Sequence, residues 1–195
     1  MIGDSIPWRE ELVKVADRLE RRRRQRRWHE RTYFLIERDI MISAYAVRKL
    51  SEAGRLSRIL RGTPIKVTRY ELVGQVCDQW HTEFWESFDM ESPTTVNLSI
   101  ADLCNQIIHS FVWRISVTEV GSLFDGIYVS SDRQRRKFLY FVSAEVLIHL
   151  FREVGEEDIV EYALRADAKG ERYIVDAISA KDVARGHRLS SPGSA

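Results

Sequence analysis

The chain has 195 residues, of which 44% are hydrophobic and 30% are charged, and its formal net charge is +1. This composition is ordinary for a globular domain long enough to bury a full core. A net charge so close to zero argues against a protein that binds nucleic acid through overall charge alone. No apolar run reaches the ~20 residues that cross a bilayer, and no signal-peptide pattern is visible. We therefore expect a cytoplasmic protein that makes no membrane contact.

Charge is unevenly distributed along the chain. Residues 9–31 contain ten basic and five acidic side chains, so the remainder is mildly acidic. No proline or glycine occurs at residues 8–53, which predicts a helix or a helix pair with a break near residues 27–31. We expect three regions along the chain. They are a basic helical arm at 1–30, a single mainly helical domain at 31–180 with C-terminal hairpins, and a disordered tail at 181–195.

The segment at residues 33–50 has the broadest apolar surface in the chain. Its apolar residues recur at helical spacing, and Phe34 and Tyr45 widen the row. A helix with so wide an apolar surface packs on several sides, so we predict that it is the central helix of the core. Further on, apolar residues alternate at 65–70, which is typical of a short strand.

Aromatic residues dominate the region that follows Gly74. Four apolar residues recur there at every fourth position: Val76, Trp80, Phe84 and Phe88. This spacing predicts a helix over residues 75–90 with an aromatic face. Such a face either lines a ligand pocket or packs into the core, and the spacing favours the core. Residues 91–95 are typical of a loop.

The last third of the sequence changes character. Residues 126–142 predict a β-hairpin with a polar turn at 131–137. Ser143 can cap a helix that ends near Gly155, and residues 161–177 predict a second hairpin. The predicted fold is therefore α+β, a mainly helical bundle with two short β-hairpins in the C-terminal third. The helices of that bundle are predicted at residues 33–53, 75–90 and 99–114.

Asn105 and His109 are the most informative residues of the chain, because they lie four residues apart in an otherwise apolar helix predicted at 99–113. Residues at this spacing share one helical face. Burying an amide and an imidazole costs free energy unless each finds a hydrogen-bond partner. The pair is therefore either a structural network or a site where His109 transfers protons near neutral pH. Glu37 or Asp39 would orient His109 if the two long helices pack together.

The segment from Cys104 to His109, Cys-Asn-Gln-Ile-Ile-His, resembles a degenerate form of the Arg-Asn-x-x-x-His signature of HEPN domains. The preceding helix at 33–50 is similar in character to helices of such proteins. HEPN domains are all-helical bundles. Their active members are metal-independent ribonucleases of toxin and defence systems, often dimers whose two motifs face one cleft. The resemblance implies that His109 acts as a base and that Asn105 is its polar support.

Cys104 stands where the family has an arginine that holds the phosphate, and a thiol supplies neither the charge nor the bidentate fork of a guanidinium. A ribonuclease would therefore need a borrowed arginine, such as Arg114 or Arg48. We expect a HEPN-like accessory or binding protein of a bacterial defence or toxin-type system without nuclease activity. Its expected partner is RNA, another protein or a second copy of the chain. The alternatives are a metal-independent ribonuclease with His109 as general base and a purely structural interaction module.

Two basic clusters are candidates for nucleic-acid contact, because arginine and lysine bind phosphates, and Trp28 beside the first could stack on a base. An exposed helix or a hairpin turn would equally present such charges to solvent alone. The first cluster is Arg21, Arg22, Arg23, Arg24, Arg26 and Arg27, and the second is Arg133, Arg135, Arg136 and Lys137.

The two cysteines, Cys77 and Cys104, lie among apolar neighbours, which is typical of buried, reduced thiols. His81 and His109 follow them at helical separations, and zinc accepts such ligands. The spacing matches no known finger, so we expect no metal. A Cys104–His109 nucleophile pair is disfavoured, because residues five apart on a helix point away from each other. No cofactor-binding motif occurs, so we expect no cofactor.

Overall fold

A computed structural model describes residues 4–78, 80, 83–120 and 123–189. Within these ranges the chain forms six α-helices: α1 (Ile6–Arg22), α2 (Glu30–Glu52), α3 (Arg58–Gly62), α4 (Ile100–Ile108), α5 (Ala144–Gly155) and α6 (Ala180–Ala184). It also forms seven strands: β1 (Ile65–Glu71), β2 (Thr94–Leu98), β3 (Ser110–Val117), β4 (Phe124–Ser131), β5 (Phe138–Ser143), β6 (Ile159–Ala166) and β7 (Arg172–Ser179). None of the helices in this part of the chain is both long and apolar enough to cross a membrane.

A five-stranded antiparallel sheet organises the fold. Its strand order is β2-β1-β5-β4-β3, and β6 and β7 form a separate two-stranded sheet. The helices α1, α2, α4 and α5 share one apolar core with one face of the large sheet. The mainly helical bundle predicted from the sequence is therefore wrong, and the fold is α+β around a substantial sheet. The second hairpin, β6–β7, was predicted correctly.

The first departure from the predicted bundle is at residues 110–117. These residues form a strand of the sheet and do not continue the preceding helix. The helix α4 ends at Ile108, and β3 follows almost at once. Trp113 pairs with Val129, and Ile115 pairs with Ile127, across the β3–β4 ladder. Cross-strand pairs of β-branched and aromatic side chains stabilise a sheet. Because these partners lie in another strand, the apolar pattern of residues 110–117 alone could not reveal them.

The described part of the aromatic segment at 75–90 is irregular chain that covers the sheet and is not the predicted helix. It contains one short 3-10 turn, Phe84–Ser87, and residues 79, 81 and 82 lie outside the described ranges. Phe84 and Phe88 are buried against the face of the sheet that the helices leave uncovered. The prediction that these two residues belong to a core is confirmed, whereas Trp80 is 81% exposed. The four-residue spacing of Phe84 and Phe88 therefore does not indicate a helix, because both side chains are buried by a segment without regular helical structure.

Several local predictions are confirmed. The strand β1, the β4–β5 hairpin and the capped helix α5 occur where the sequence predicts them. The Ser143 hydroxyl accepts a hydrogen bond from the Val146 amide, which starts α5. Residues 94–98, predicted partly as a loop, form the edge strand β2. The tail predicted to be disordered from residue 181 contains most of α6, and residues 190–195 lie outside the described ranges.

The basic segment at residues 1–30, expected to be an arm, contributes α1 to the core. Four apolar residues of α1 are buried: Leu12, Val15, Ala16 and Leu19. The contact of α1 with α5 is so close that a Cβ atom on Gly155 would lie 2.7 Å from the Val13 side chain. The predicted break between the first two helices occurs at residues 23–29. In α2, the expected core residues Tyr33, Phe34 and Tyr45 are exposed.

Asp39 of α2 connects to α1 through Arg18, and the neighbouring Arg38 of α2 is a second partner of its carboxylate. Its buried carboxylate accepts a hydrogen bond from Arg18 Nε at 2.9 Å and another from Arg38 at 2.8 Å. Burial by itself raises the pKa of Asp39, but the hydrogen bonds from Arg18 and Arg38 outweigh it, so the net pKa is lowered. Asp39 is thus committed to the α1–α2 contact and does not orient His109.

We predict that Asp39→Asn lowers the free energy of unfolding at pH 7 by about 1–3 kcal/mol, because Arg18 loses a charged acceptor. Because the pKa of Asp39 is lowered in the folded state, the carboxylate stabilises that state at pH values above the ordinary aspartate pKa of about 4. This stabilisation is lost as the pH falls through the folded-state pKa of Asp39. The difference between wild type and variant should therefore shrink from pH 7 to pH 3 in urea titrations.

The matched control for this prediction is Asp17→Asn, which removes a more exposed ion pair with Arg152. Its expected effect is below about 1 kcal/mol, because exposed pairs contribute little. Equal losses in the two variants would contradict the assigned role of Asp39.

Candidate functional site in the cleft between α2, α4 and the β4–β5 turn

The helix α4 carries the polar residues that the sequence singles out. Its start is fixed by Ser99, whose hydroxyl accepts a hydrogen bond from the Asp102 amide and donates one to the Asp102 carboxylate. The sequence has Ser99 at the start of the predicted helix and Asp102 three residues on, a pattern typical of an N-terminal cap, and the structure confirms this cap. The apolar side of α4 is buried in the main core through Leu103, Cys104 and Ile107. That burial leaves Asn105, Gln106 and His109 to meet other parts of the chain.

Asn105 joins α4 to α2. Its side-chain oxygen accepts a hydrogen bond from the guanidinium of Arg48. Arg48 Nε also donates to the Glu52 carboxylate at 2.9 Å, one turn further along α2. The guanidinium is thus held by partners on two helices, and Asn105 has a structural role as well as a place in the cleft.

Gln106 fastens the other side of α4 to the turn between β4 and β5. Its side-chain oxygen accepts a hydrogen bond from the buried Ser131 amide at 3.0 Å. One residue further, the Asp132 amide donates to the backbone carbonyl of His109 at 3.1 Å. Sequence reasoning missed Gln106. The available signal was a third polar side chain among the apolar residues of α4.

His109 is the C-terminal cap of α4, and its side chain is exposed. It lines a cleft of about 470 Å³ together with Arg48 from α2, with Asp102, Asn105 and Gln106 from α4, and with turn residues 131–134. The cleft therefore brings the predicted pair Asn105 and His109 together with Arg48, one of the two arginines considered as substitutes for the missing family arginine.

The structure does not bring Arg114 to His109. Arg114 lies on β3, where side chains alternate between the two faces of the sheet. It lines a separate cavity with Phe84 and Phe111, on the side away from α4. The helix predicted at 99–114 contains both Arg114 and His109. That placement is wrong because the chain changes from helix to strand at Ser110.

The cysteines are buried and are not reactive groups of the site. Burial raises the pKa of the Cys104 thiol to about 12, although the nearby charge of Arg48 acts in the opposite direction. A thiol with this pKa is neutral near pH 7, which excludes a Cys104–His109 nucleophile pair. Cys77 contacts the Ser87 hydroxyl at 3.2 Å. Among the described residues, which do not include His81, no cluster of three potential metal ligands occurs.

The second basic cluster lies beside the cleft, but its four members differ. Arg135 folds back against the protein, where it pairs with Asp132 at 2.9 Å and donates to the Cys77 carbonyl. Its guanidinium carbon lies 3.9 Å from the centre of the Phe111 ring. Arg135 is therefore structural. The other three members are exposed, and the first of them lines the cleft: Arg133, Arg136 and Lys137.

The first basic cluster lies elsewhere. It occupies the end of α1 and the break before Glu30, where α2 begins. Glu30 and Arg48 are 18 residues apart on α2, which corresponds to about 27 Å along the helix axis. Trp28, a candidate for base stacking, packs against Tyr33 with ring centres 5.0 Å apart. The exposed arginines of this cluster are Arg21, Arg24, Arg26 and Arg27. The half-buried ones are Arg22 and Arg23.

No family model matches this chain, and no curated protein or solved structure is significantly similar to it. The HEPN resemblance therefore stays a prediction based on residues 104–109. The all-helical fold that it implies is not the fold of this chain, because five strands form the central sheet.

We predict that Gln106→Ala lowers the free energy of unfolding by about 1–3 kcal/mol, because the Ser131 amide is left buried without an acceptor. His109→Ala should change this free energy by less than about 0.5 kcal/mol, because the imidazole is exposed. Chemical denaturation of both variants measures the difference. A loss in His109→Ala as large as that in Gln106→Ala would indicate that His109 is a structural residue.

Proposed function

We propose that this protein binds RNA by holding a backbone phosphate in the α2–α4 cleft. The observation that carries the proposal is the hydrogen bond from Arg48 to Asn105 in a cleft that also contains the exposed His109. A guanidinium held in a fixed orientation can offer two parallel N–H groups to a phosphate. Asn105 orients Arg48 without neutralising its charge, whereas the ion pair of Arg48 Nε with Glu52 offsets part of that charge.

The surroundings of the cleft favour an anionic ligand. Arg133 adds a second guanidinium at the cleft, and Arg136 and Lys137 extend the positive surface along the turn. The two carboxylates that line the cleft already have partners, since Asp102 accepts the Ser99 hydroxyl and Asp132 pairs with Arg135. Arg135 thereby offsets the charge of Asp132, whereas the neutral hydroxyl of Ser99 leaves the negative charge of Asp102 in place.

The proposed activity is binding without cleavage. His109 is the one imidazole among the residues that line the cleft. Cleavage of a phosphodiester needs a proton acceptor for the attacking hydroxyl and a proton donor for the leaving group. The choice of RNA over DNA, and the role as an accessory protein of a bacterial defence or toxin-type system, rest on the motif resemblance at residues 104–109.

We predict that Arg133→Ala weakens binding to a fluorescently labelled single-stranded RNA several-fold. It should also reduce the dependence of log affinity on log salt concentration by about 0.7–1, because one phosphate contact is lost. Fluorescence anisotropy at several salt concentrations measures both quantities, and a DNA oligonucleotide of the same sequence tests the choice of nucleic acid.

The matched control is Arg172→Ala, which removes an exposed arginine from the β6–β7 hairpin, outside the cleft. It should bind RNA like the wild type. Equal affinities of Arg133→Ala and wild type would contradict binding in the cleft.

The first basic cluster is tested without deleting residues 1–30, because α1 is part of the core. The triple substitution of Arg24, Arg26 and Arg27 by alanine removes exposed charge and leaves the buried stripe of α1 intact. If the triple substitution weakens RNA binding and Arg133→Ala leaves it unchanged, the interface lies at the α1–α2 break. This result would contradict the proposed cleft.

A metal-independent ribonuclease is the second candidate, and the observation that favours it is the exposure of His109 beside Arg48. In this case His109 would act as general base while Arg48 binds the phosphate. Under the binding proposal, we expect intact RNA after incubation with the protein in EDTA, measured by gel electrophoresis.

The variants His109→Ala and His149→Ala distinguish the two candidates. His149 lies on α5 outside the cleft, and its side chain is also exposed. RNA cleavage that His149→Ala retains and His109→Ala abolishes, with unchanged melting temperatures, would replace the binding proposal with the ribonuclease.

A further inference from the structure

The β6–β7 hairpin leaves one strand edge unpaired. The strands β6 and β7 form a sheet of their own, so within the described ranges no third strand pairs with β6. The strand β7 contacts α3 and α6, and its Ile174 side chain packs against Gly54. The exposed edge of the hairpin is thus β6. An unpaired edge presents N–H and C=O groups that can pair with another strand, and a two-stranded hairpin alone is marginally stable.

The usable part of this edge is the segment from Glu161 to Arg165. Val160 is an extra residue in the β6–β7 ladder, because Ile159 and Glu161 pair with consecutive residues of β7. Such a bulge interrupts regular pairing, so an added strand can form a regular ladder only beyond it. A second register shift occurs between Ala163 and Leu164, but there the extra residue is Val175 of β7, so β6 itself has no extra residue from Glu161 to Arg165. In this segment Tyr162 is 53% exposed and Leu164 is 49% exposed.

We propose that two copies of this chain associate by antiparallel pairing of their β6 edges about a twofold axis at Ala163. In this register Glu161 of each copy lies opposite Arg165 of the other, and Tyr162 lies opposite Leu164. A twofold axis makes each contact twice. Opposite charges and apolar pairs placed directly across a ladder both stabilise pairing. The segment is therefore complementary to itself, which identifies a second copy as its occupant.

The sequence also selects this register over its neighbours. A shift by one residue reverses the faces of the strand, and a shift by two places Glu161 opposite either Ala163 or Asp167. Neither shifted register keeps the charge pair. Within the described part of the chain, Glu161 and Arg165 are exposed and have no ion pair of their own that pairing would have to break.

The interface is small, because five residues from each copy form it. Stable interfaces bury roughly 1,600 Å² in total, and shorter contacts give weaker association. We therefore expect a dimer whose population rises with protein concentration, observed by sedimentation velocity over a range of concentrations.

Charge-reversal variants test the pairing. Glu161→Arg places two arginines opposite each other, and Arg165→Glu places two glutamates opposite each other, so each variant alone should be monomeric. An equimolar mixture of the two should restore the dimer, because every arginine then faces a glutamate. The control Glu171→Arg makes the same charge change in the turn of the hairpin and should remain dimeric.

A cysteine at the proposed axis gives an independent readout. Ala163→Cys should form a disulfide between copies under mild oxidation, whereas Ala168→Cys in the turn should not. The native cysteines are buried and do not interfere. A monomeric wild type at every concentration would overturn the proposal. So would single charge variants that dimerise like the wild type, or a mixture that stays monomeric. If the β6 edge binds only a different protein, the wild type should be monomeric at every concentration.

Discussion

The rotation of α4 about its axis is the constraint on which the site depends. Burial of Leu103, Cys104 and Ile107 between α2 and the sheet fixes this rotation, because apolar side chains at helical spacing share one face. Once that face is buried, the positions of Asn105, Gln106 and His109 are fixed as well. Asn105 meets Arg48 on α2, and Gln106 meets Ser131 at the β4–β5 turn. The packing of the core therefore determines the geometry of the cleft.

The structural and functional interpretations of the polar pair apply to different residues. Asn105 has the role that a structural network requires, because it joins two helices through a hydrogen bond. His109 caps the helix through its backbone, while its imidazole stays exposed in the cleft. A buried polar group must be satisfied by the fold, whereas an exposed imidazole remains available to a ligand. The same face of α4 thus carries Asn105, which has a structural role, and His109, which is a candidate ligand contact.

The number of arginines along the sequence does not indicate how many are available for a ligand. Arg18 and Arg135 are bound to carboxylates, and Arg135 also stacks on Phe111. Arg133, two residues away from Arg135 in the same turn, extends into the cleft region. The difference arises because a guanidinium next to a carboxylate or an aromatic ring gains more by pairing than by staying hydrated. Only the surrounding residues decide which arginines face solvent.

Local sequence signals determined the elements that are marked by a capping residue or by a polar turn. These include the caps at Ser99 and Ser143, both hairpins, and the break between α1 and α2. The tertiary structure decided the rest, because the stabilising contacts there join distant residues. The sheet order, the strand identity of β2 and β3, and the burial of Phe84 and Phe88 depend on pairing and packing across the fold. The sequence singled out Asn105 and His109, but the contact of Arg48 with Asn105 spans 57 residues. Such a contact forms only when α2 packs on α4.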